Sequence, residues 1–395
     1  RVFVSAGAAK DEVRVAIDQS GRDPGAAKRD DLLDRGSGKL GSTADPNDLA
    51  VGNGNRGIFD DPERIAARRK HGADIAVGKQ TVPHGAGHRR LLGWQAMTSS
   101  WPNLSELMGR DEGAAIGWVG APVKLGSVTP GRCDLAPAAL RAVLRRIGRF
   151  DIEQGRELQC PIFDRGDLAL EDLSIEAATP ILTEAIAQSV LVHRLTLLIG
   201  GNNAVTRPGV LGMAQALGLP LDRVGLITLD AHLDMRSLKG GLGNGNPVRA
   251  LREDGLAGSN VAQIGLAAFA NSREMADDAA SGGHLLLSAA QVRDRGVGRA
   301  MGAAFDHLAK AEAILLDCDI DVIDRSQFPG APGGRAGGMA ALDFFAAVRL
   351  AVANPRVRVV DLTEWDPPLD PSDISALTAG RWMAEVLSGF EARAD

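Results

Sequence analysis

At 395 residues the chain can hold one large domain or two ordinary ones, and either is large enough to bury a core. Hydrophobic residues at 45% and charged residues at 24% match a soluble globular protein, and a net charge of -6 gives no reason to expect nucleic acid or an anionic membrane as partner. Three scattered cysteines (Cys133, Cys160, Cys318) exclude a disulfide framework or a cysteine zinc site.

No run of ~18 or more apolar residues suggests a membrane span. No charged-then-apolar signal peptide opens the chain, so reduced thiols in a cytoplasmic protein are the expectation. Residues 1–96 are rich in Gly, Asp, Arg and Lys and show no sustained apolar periodicity; Gly36-Ser37-Gly38 and Asn53-Gly54-Asn55 read as loop. This stretch has no methionine, and the first is Met97. We expect 1–96 to lie outside the natural product, as an upstream extension of the reading frame, or to be a poorly ordered arm. Limited proteolysis would trim either to near residue 100. Residues 97–395 are expected to form a single α/β domain.

From about residue 114, short apolar runs alternate with helical patterns. The expected strands are 115–119, 195–199, 224–229, 261–266, 285–287, 313–316 and 357–360, rich in Val, Ile and Leu as strands buried on both faces must be. The expected helices are 136–148, 174–192, 206–217, 246–254, 297–309, 340–353 and 373–390. This alternation implies a mainly parallel, doubly wound sheet between two helical layers. The ligand site of such a sheet lies beyond the carboxyl ends of its strands.

Two acidic clusters stand there. Strand 224–229 runs into Asp230-Ala231-His232-Leu233-Asp234, and strand 313–316 into Asp317-Cys318-Asp319-Ile320-Asp321. Like charges brought this close require a proton or a cation. In an extended segment Asp230, His232 and Asp234 share one face, as do Asp317, Asp319 and Asp321, with Cys318 opposite in the core. A single Asp at a strand end is ordinarily a solvated or capping residue. Two clusters, each after a buried strand, point instead to a metal, and oxygen ligands with one imidazole suit Mn²⁺ better than structural zinc.

These residues resemble the metal-binding signature of the ureohydrolase (arginase/agmatinase/formimidoylglutamase) family. Further motifs keep the family's order over about 110–390: Gly120-Ala121-Pro122, Gly131-Arg132, Ala136-Pro137-Ala138, Gly200-Gly201-Asn202-Asn203, Phe328-Pro329-Gly330, Gly337-Gly338-Met339 and Glu364-Trp365-Asp366-Pro367. Asn244-Gly245-Asn246-Pro247 and 264–272 lean toward the formimidoylglutamases. The resemblance implies the three-layer arginase/deacetylase-like fold, two Mn²⁺ ions, an amidino or guanidino substrate and a trimer or hexamer. By position, Asp230 and Asp319 would bridge the ions, His232 and Asp321 would complete one set, and Asp234 would serve the other. Asp343 falls where the family places a Glu that holds the substrate's cationic group.

Two departures bear on activity. Asn203 replaces the family's histidine ligand, and a carboxamide is a far poorer ligand than imidazole, so the ion at Asp234 should bind weakly. Asn244 replaces a proton-shuttling His, and an amide carries no proton at neutral pH. The expected function is hydrolysis of a linear amidine or guanidine, with formiminoglutamate favoured; the alternative is a weak or inactive member that binds metal or ligand. A deacetylase-like amidohydrolase lacks the paired histidines it would need. His193, His284 and His307 are expected at the surface or in caps, and His71, His84 and His88 lie in the leader without a ligand cluster. Arg335 occupies a loop position often acidic in agmatinases; solvation is its default reading, contact with a substrate carboxylate the alternative.

Overall fold

The computed structural model describes residues 2–5, 14–17 and 101–393. The chain divides into two units, Arg1–Arg89 and Arg90–Asp395. In the first, β1 (Val2–Ser5) pairs antiparallel with β2 (Arg14–Ile17), a ribbon that the sequence reading missed. The remainder of the expected extension lies outside the described residues.

The second unit is built on a nine-stranded sheet. In chain order its strands are β3 (Met108–Gly109), β4 (Ile116–Ala121), β5 (Phe150–Asp151), β6 (Arg156–Glu157), β7 (Ile162–Asp167), β8 (Leu195–Gly200), β9 (Val224–Leu229), β10 (Val261–Leu266), β11 (Leu285–Ser288), β12 (Ala313–Cys318) and β13 (Val357–Leu362). β5 and β6 form a separate antiparallel ribbon. The other nine pair in the order β11-β10-β9-β12-β13-β8-β4-β7-β3, every pair parallel. All seven expected strands are present within a few residues of their expected ends.

The helices are α1 (Ala136–Val143), α2 (Ile175–Val192), α3 (Thr206–Leu217), α4 (Pro247–Asp254), α5 (Arg273–Ser281), α6 (Ala289–Arg295), α7 (Val297–His307), α8 (Ala341–Val352) and α9 (Ile374–Glu391). Side chains alternate along each strand between two cores. Ile227, Leu229, Ile314, Leu316 and Cys318 pack with α1 and α6–α9; Val224, Leu226, Ala313 and Leu315 pack with α2–α5. The result is a three-layer α/β sandwich, as the strand pattern implied. α2 is long and apolar enough, at mean hydropathy 1.2, to cross a membrane by composition. Its buried residues, Leu182, Ile186 and Val190 among them, instead share a core with α3 and the sheet.

The topology places four carboxyl ends side by side. β9, β12, β13 and β8 are consecutive in the sheet, and chain segments of high polarity leave each of them. That row is where the acidic residues converge.

Candidate metal centre

β9 and β12 are in register, Cys318 opposite Leu229, so the segments that follow them emerge together. Extended structure ends at Asp319, the N-cap of a 3-10 turn (Ile320–Val322) that swings Asp321 toward the first cluster. His232 Nδ1 lies 2.9 Å from Asp321 Oδ2 and 3.5 Å from Asp230 Oδ1. Asp230, His232 and Asp321 present ligand atoms all within 4.8 Å of one another. Asp230 Oδ1 accepts the His232 N–H at 2.6 Å, while its Oδ2 is buried without a partner among the described residues. Asp319 and Asp234 line the same cleft with His232 and Asp321, and both are buried.

The shared-face expectation needs correction at both clusters. Asp234 has φ +52°, so strand alternation does not carry through the first. In the second, Asp317 does not line the cleft: it is buried within β12, where burial, with Asp361 adding to it, pushes its carboxyl well above the carboxylate range, and both its oxygens are without a hydrogen-bond partner among the described residues. Asp361 takes the Cys318 N–H at 2.9 Å and lies 3.0 Å from Thr206 Oγ1. Asp361 thus ties β13 to the end of β12 and to the start of α3. Cys318 is in the core, as expected.

Asn203 follows the Gly200-Gly201 turn at the end of β8. A Cβ on Gly201 would lie 1.9 Å from the Val123 carbonyl, so only glycine lets this turn close on the loop after β4. Both ends of the Asn203 carboxamide are engaged. Nδ2 donates to Asp234 Oδ2 at 2.6 Å, and Oδ1 lies 2.7 Å from Thr206 Oγ1 and 3.2 Å from Thr363 Oγ1. Asn203 thus ties Asp234 to Thr206 and Thr363.

Asn244 lies at the cleft, where its Nδ2 donates to Glu364 Oε1 at 2.9 Å and its Oδ1 accepts from the Val128 N–H at 2.8 Å. Asp343 does not line the cleft. It stands in the first turn of α8, because the loop after β12 folds back on itself, Met339 pairing with Ile323, before the helix begins. The additional carboxylate at the cleft is Glu364, buried just beyond β13, with φ +61°. Its Oε1 also takes the Asn203 N–H at 2.8 Å. The sequence reading placed Glu364-Trp365-Asp366-Pro367 among the family motifs but gave Glu364 no role in the site, because a single acid after the β13 run forms no cluster. His284 corrects another expectation: it is buried, with Nδ1 2.9 Å from Gln263 Oε1. His193 does cap α2.

Electrostatically the buried part of the cleft holds more acids than cations. Burial, with Asp321 adding to it, pushes Asp230 up to about 7, and burial pushes Glu364 to about 7. Asp234 and Asp319 are pushed well above the carboxylate range by burial and by neighbouring acids. Burial also acts against charge on His232 and Asp321, but their mutual attraction wins, raising His232 to about 11 and holding Asp321 low. One imidazolium is too little for five buried acids. An orphaned carboxylate oxygen, three converging ligands and surplus negative charge fit a divalent cation.

The family model described as Arginase family matches residues 114–389. The chain belongs to the arginase family. It is a hydrolase of that family, and similar proteins lie on the formimidoylglutamase side. It is 27% identical over 279 residues to the formimidoylglutamase of Halalkalibacterium halodurans, spanning 69% of this chain and 86% of that protein. It is 29% identical over 258 residues to that of Halobacterium salinarum, spanning 65% and 81%. Among solved structures, formiminoglutamase of Trypanosoma cruzi, crystallised with Mn²⁺, aligns with TM-score 0.66 at 26% identity, covering 72% of this chain and 96% of that one. The Bacillus subtilis formimidoylglutamase shares the fold, with TM-score 0.71 at 23% identity over 78% and 97% of the two chains.

Proposed function

We propose that this arginase-family member hydrolyses a non-peptide C–N bond in a linear amidine or guanidine, with a formiminoglutamate-like compound as the favoured substrate and Mn²⁺ as cofactor. The observation that carries the reading is the convergence of Asp230, His232 and Asp321 in a buried, acid-rich basin at the end of the central strands. Asp230, His232 and Asp321 would hold one ion, with Asp319 shared and Asp234 serving a second, weaker position. When bound, such an ion brings the pKa of water toward neutrality, making a nucleophile available at working pH.

The chain's own residues supply positioning. Glu364 is fixed through Oε1 by Asn203 and Asn244, leaving Oε2 without a protein partner among the described residues to accept an amidinium N–H. The buried acids favour a cationic reacting group over a neutral one. Water oxygen bonds to the amidine carbon, the C–N bond breaks, and the departing nitrogen leaves with a proton. Asn244 cannot deliver that proton, so it comes from another group or from solvent.

The saturated Asn203 carboxamide favours a second reading, a member that binds metal and substrate but turns over slowly. Assay of the Mn²⁺-loaded protein on N-formimino-L-glutamate, 4-guanidinobutyrate and agmatine separates the two. The hydrolase reading expects turnover of at least one compound and loss of about a hundredfold or more in Asp321→Asn; no turnover at saturating Mn²⁺ would leave only the second. The proposal carries a cytoplasmic location and a trimeric or hexameric assembly, which fractionation and sedimentation would check.

A further inference from the structure

Gln263 is the one polar side chain in β10, which reads Val-Ala-Gln-Ile-Gly-Leu, and it is fully buried. A buried carboxamide is costly unless its ends are bonded, and here both are. Its Nε2 donates to the Leu233 carbonyl at 2.9 Å, and its Oε1 lies 2.9 Å from His284 Nδ1. A carbonyl can only accept, so the amide nitrogen must face Leu233 and the amide oxygen must face His284. His284 Nδ1 therefore carries the proton. Burial, with Arg252 adding to it, lowers His284 to about 4, so the ring is neutral near pH 7. Its Nε2 is then a bare lone pair, buried without a partner among the described residues, and its single donor is committed to Gln263.

Leu233 stands between His232 and Asp234, and its peptide groups are gripped on both sides. Its N–H donates to Asn271 Oδ1 at 2.8 Å, and Asn271 Nδ2 donates to the Ala231 carbonyl at 3.0 Å. The Leu233 carbonyl belongs to the peptide bond that leads into Asp234, whose φ of +52° is a conformation L-residues rarely adopt. On the far side the Arg249 N–H, from α4, holds the Asp234 carbonyl at 3.2 Å. Backbone of this kind persists only where its surroundings fix it from several directions. Apolar packing sets no direction for a carbonyl, whereas the Gln263 amide does. A leucine at 263 would fill a similar volume and offer that carbonyl no donor.

We propose that Gln263 and His284 are positioning residues of the metal centre: His284 fixes the sense of the Gln263 amide, and the amide holds the Leu233 peptide in the orientation that presents His232 and Asp234 together to the cleft. The inference rests on the metal centre proposed above and deepens it. Neither residue lines the cleft. They act from within the sheet, Gln263 on β10 beside β9 and His284 at the start of β11 beyond it. Without the His284 donor the amide is free to turn over, which sets Oε1 against the Leu233 carbonyl, oxygen to oxygen, and releases the segment.

The test uses the full-length chain with Gln263→Leu, His284→Leu and His284→Asn, the last keeping an N–H donor where Nδ1 stands. Calorimetry reads Mn²⁺ affinity. Mass spectrometry follows amide hydrogen exchange over residues 230–235 in the metal-free protein, a readout that needs neither metal nor turnover. Both Leu variants should bind Mn²⁺ about tenfold or more weakly, the range for losing a ligand's support. They should exchange 230–235 about tenfold faster while β12 exchanges as in wild type, the mark of local rather than global opening. His284→Asn should bring both readouts to within about threefold of wild type, because it restores the donor. A merely structural role predicts faster exchange across the whole sheet and no advantage of His284→Asn over His284→Leu; either result overturns the proposal, as do wild-type affinity and exchange in both Leu variants. Should Gln263→Leu fail to fold, the two His284 variants decide by the same readouts. If the wild type binds no Mn²⁺, the metal reading fails, and exchange over 230–235 alone upholds or overturns the positioning role.

Discussion

Gly333 shows how tightly the loop after β12 lies on the metal centre. A Cβ there would fall 2.1 Å from Asp321 Oδ2, closer than a real contact permits, and a tight 3.1 Å from His232 Cε1. The loop or the ligands must therefore move if the residue grows by one methyl. Gly333→Ala is expected to weaken Mn²⁺ retention by about ten- to a hundredfold, the range for disturbing a ligand's support, with little change in Tm. Competition with a chelator measures it, and retention equal to wild type would mean that the loop yields freely. His284 offers a second residue-scale test, remote from the ligands. Burial lowers its pKa to about 4, against about 6.5 for a free imidazole. The native state therefore disfavours the charged form, so its stabilising bias is fully present above pH 6.5 and is lost as pH falls toward 4. That bias is worth up to about 3 kcal/mol. Urea unfolding at pH 7 and pH 4.5 should show wild type losing more stability on acidification than His284→Gln; equal losses would count against it.

At the scale of elements, α1 and β7 are clamped by one side chain. Arg141 reaches Asp164 at 2.8 Å and Asp167 at 2.7 Å, with its guanidinium 4.9 Å over the Trp118 ring. Because the fork is only partly solvated, Arg141→Ala should cost about 1–3 kcal/mol, between exposed and buried pairs. Thermal unfolding checks it, and a shift no larger than that of an exposed Arg such as Arg273 would contradict it. The same element explains what sequence could not reveal. β7 reads Ile-Phe-Asp-Arg-Gly-Asp, and only Ile162 is buried, so it lacks the continuous apolar run that marks β8, β9, β12 and β13. α5 and α6 are nine and seven residues long, too short for a periodic pattern to stand out. The two acidic clusters were legible because strand ends are fixed by the runs before them. The place of Glu364 in the cleft was not, because one acid after β13 makes no cluster, and nor was the placement of Asp343, which depends on how the loop between β12 and α8 doubles back. The β1–β2 ribbon was missed because its four-residue strands fall in a stretch rich in glycine and charge.

At the scale of the whole unit, the sheet acts as a device for collecting charge. Parallel strands have all their carboxyl ends on one side, and the row β9-β12-β13-β8 gathers Asp230, Asp319, Glu364 and Asn203 from segments as much as 161 residues apart. Two apolar cores hold these ends rigidly, and burying a single Leu or Ile side chain contributes about 1.5–3 kcal/mol. That scale of support is what allows several buried carboxylates to sit together in one basin. The central claim is that the basin is built for a divalent ion, and elemental analysis of the protein after dialysis with and then without Mn²⁺ tests it most directly. The account predicts at least one ion per chain, lost in Asp230→Asn and Asp321→Asn, and fewer than two because Asn203 is committed to Asp234, Thr206 and Thr363. Metal content near zero in the wild type, with the fold intact, would contradict it.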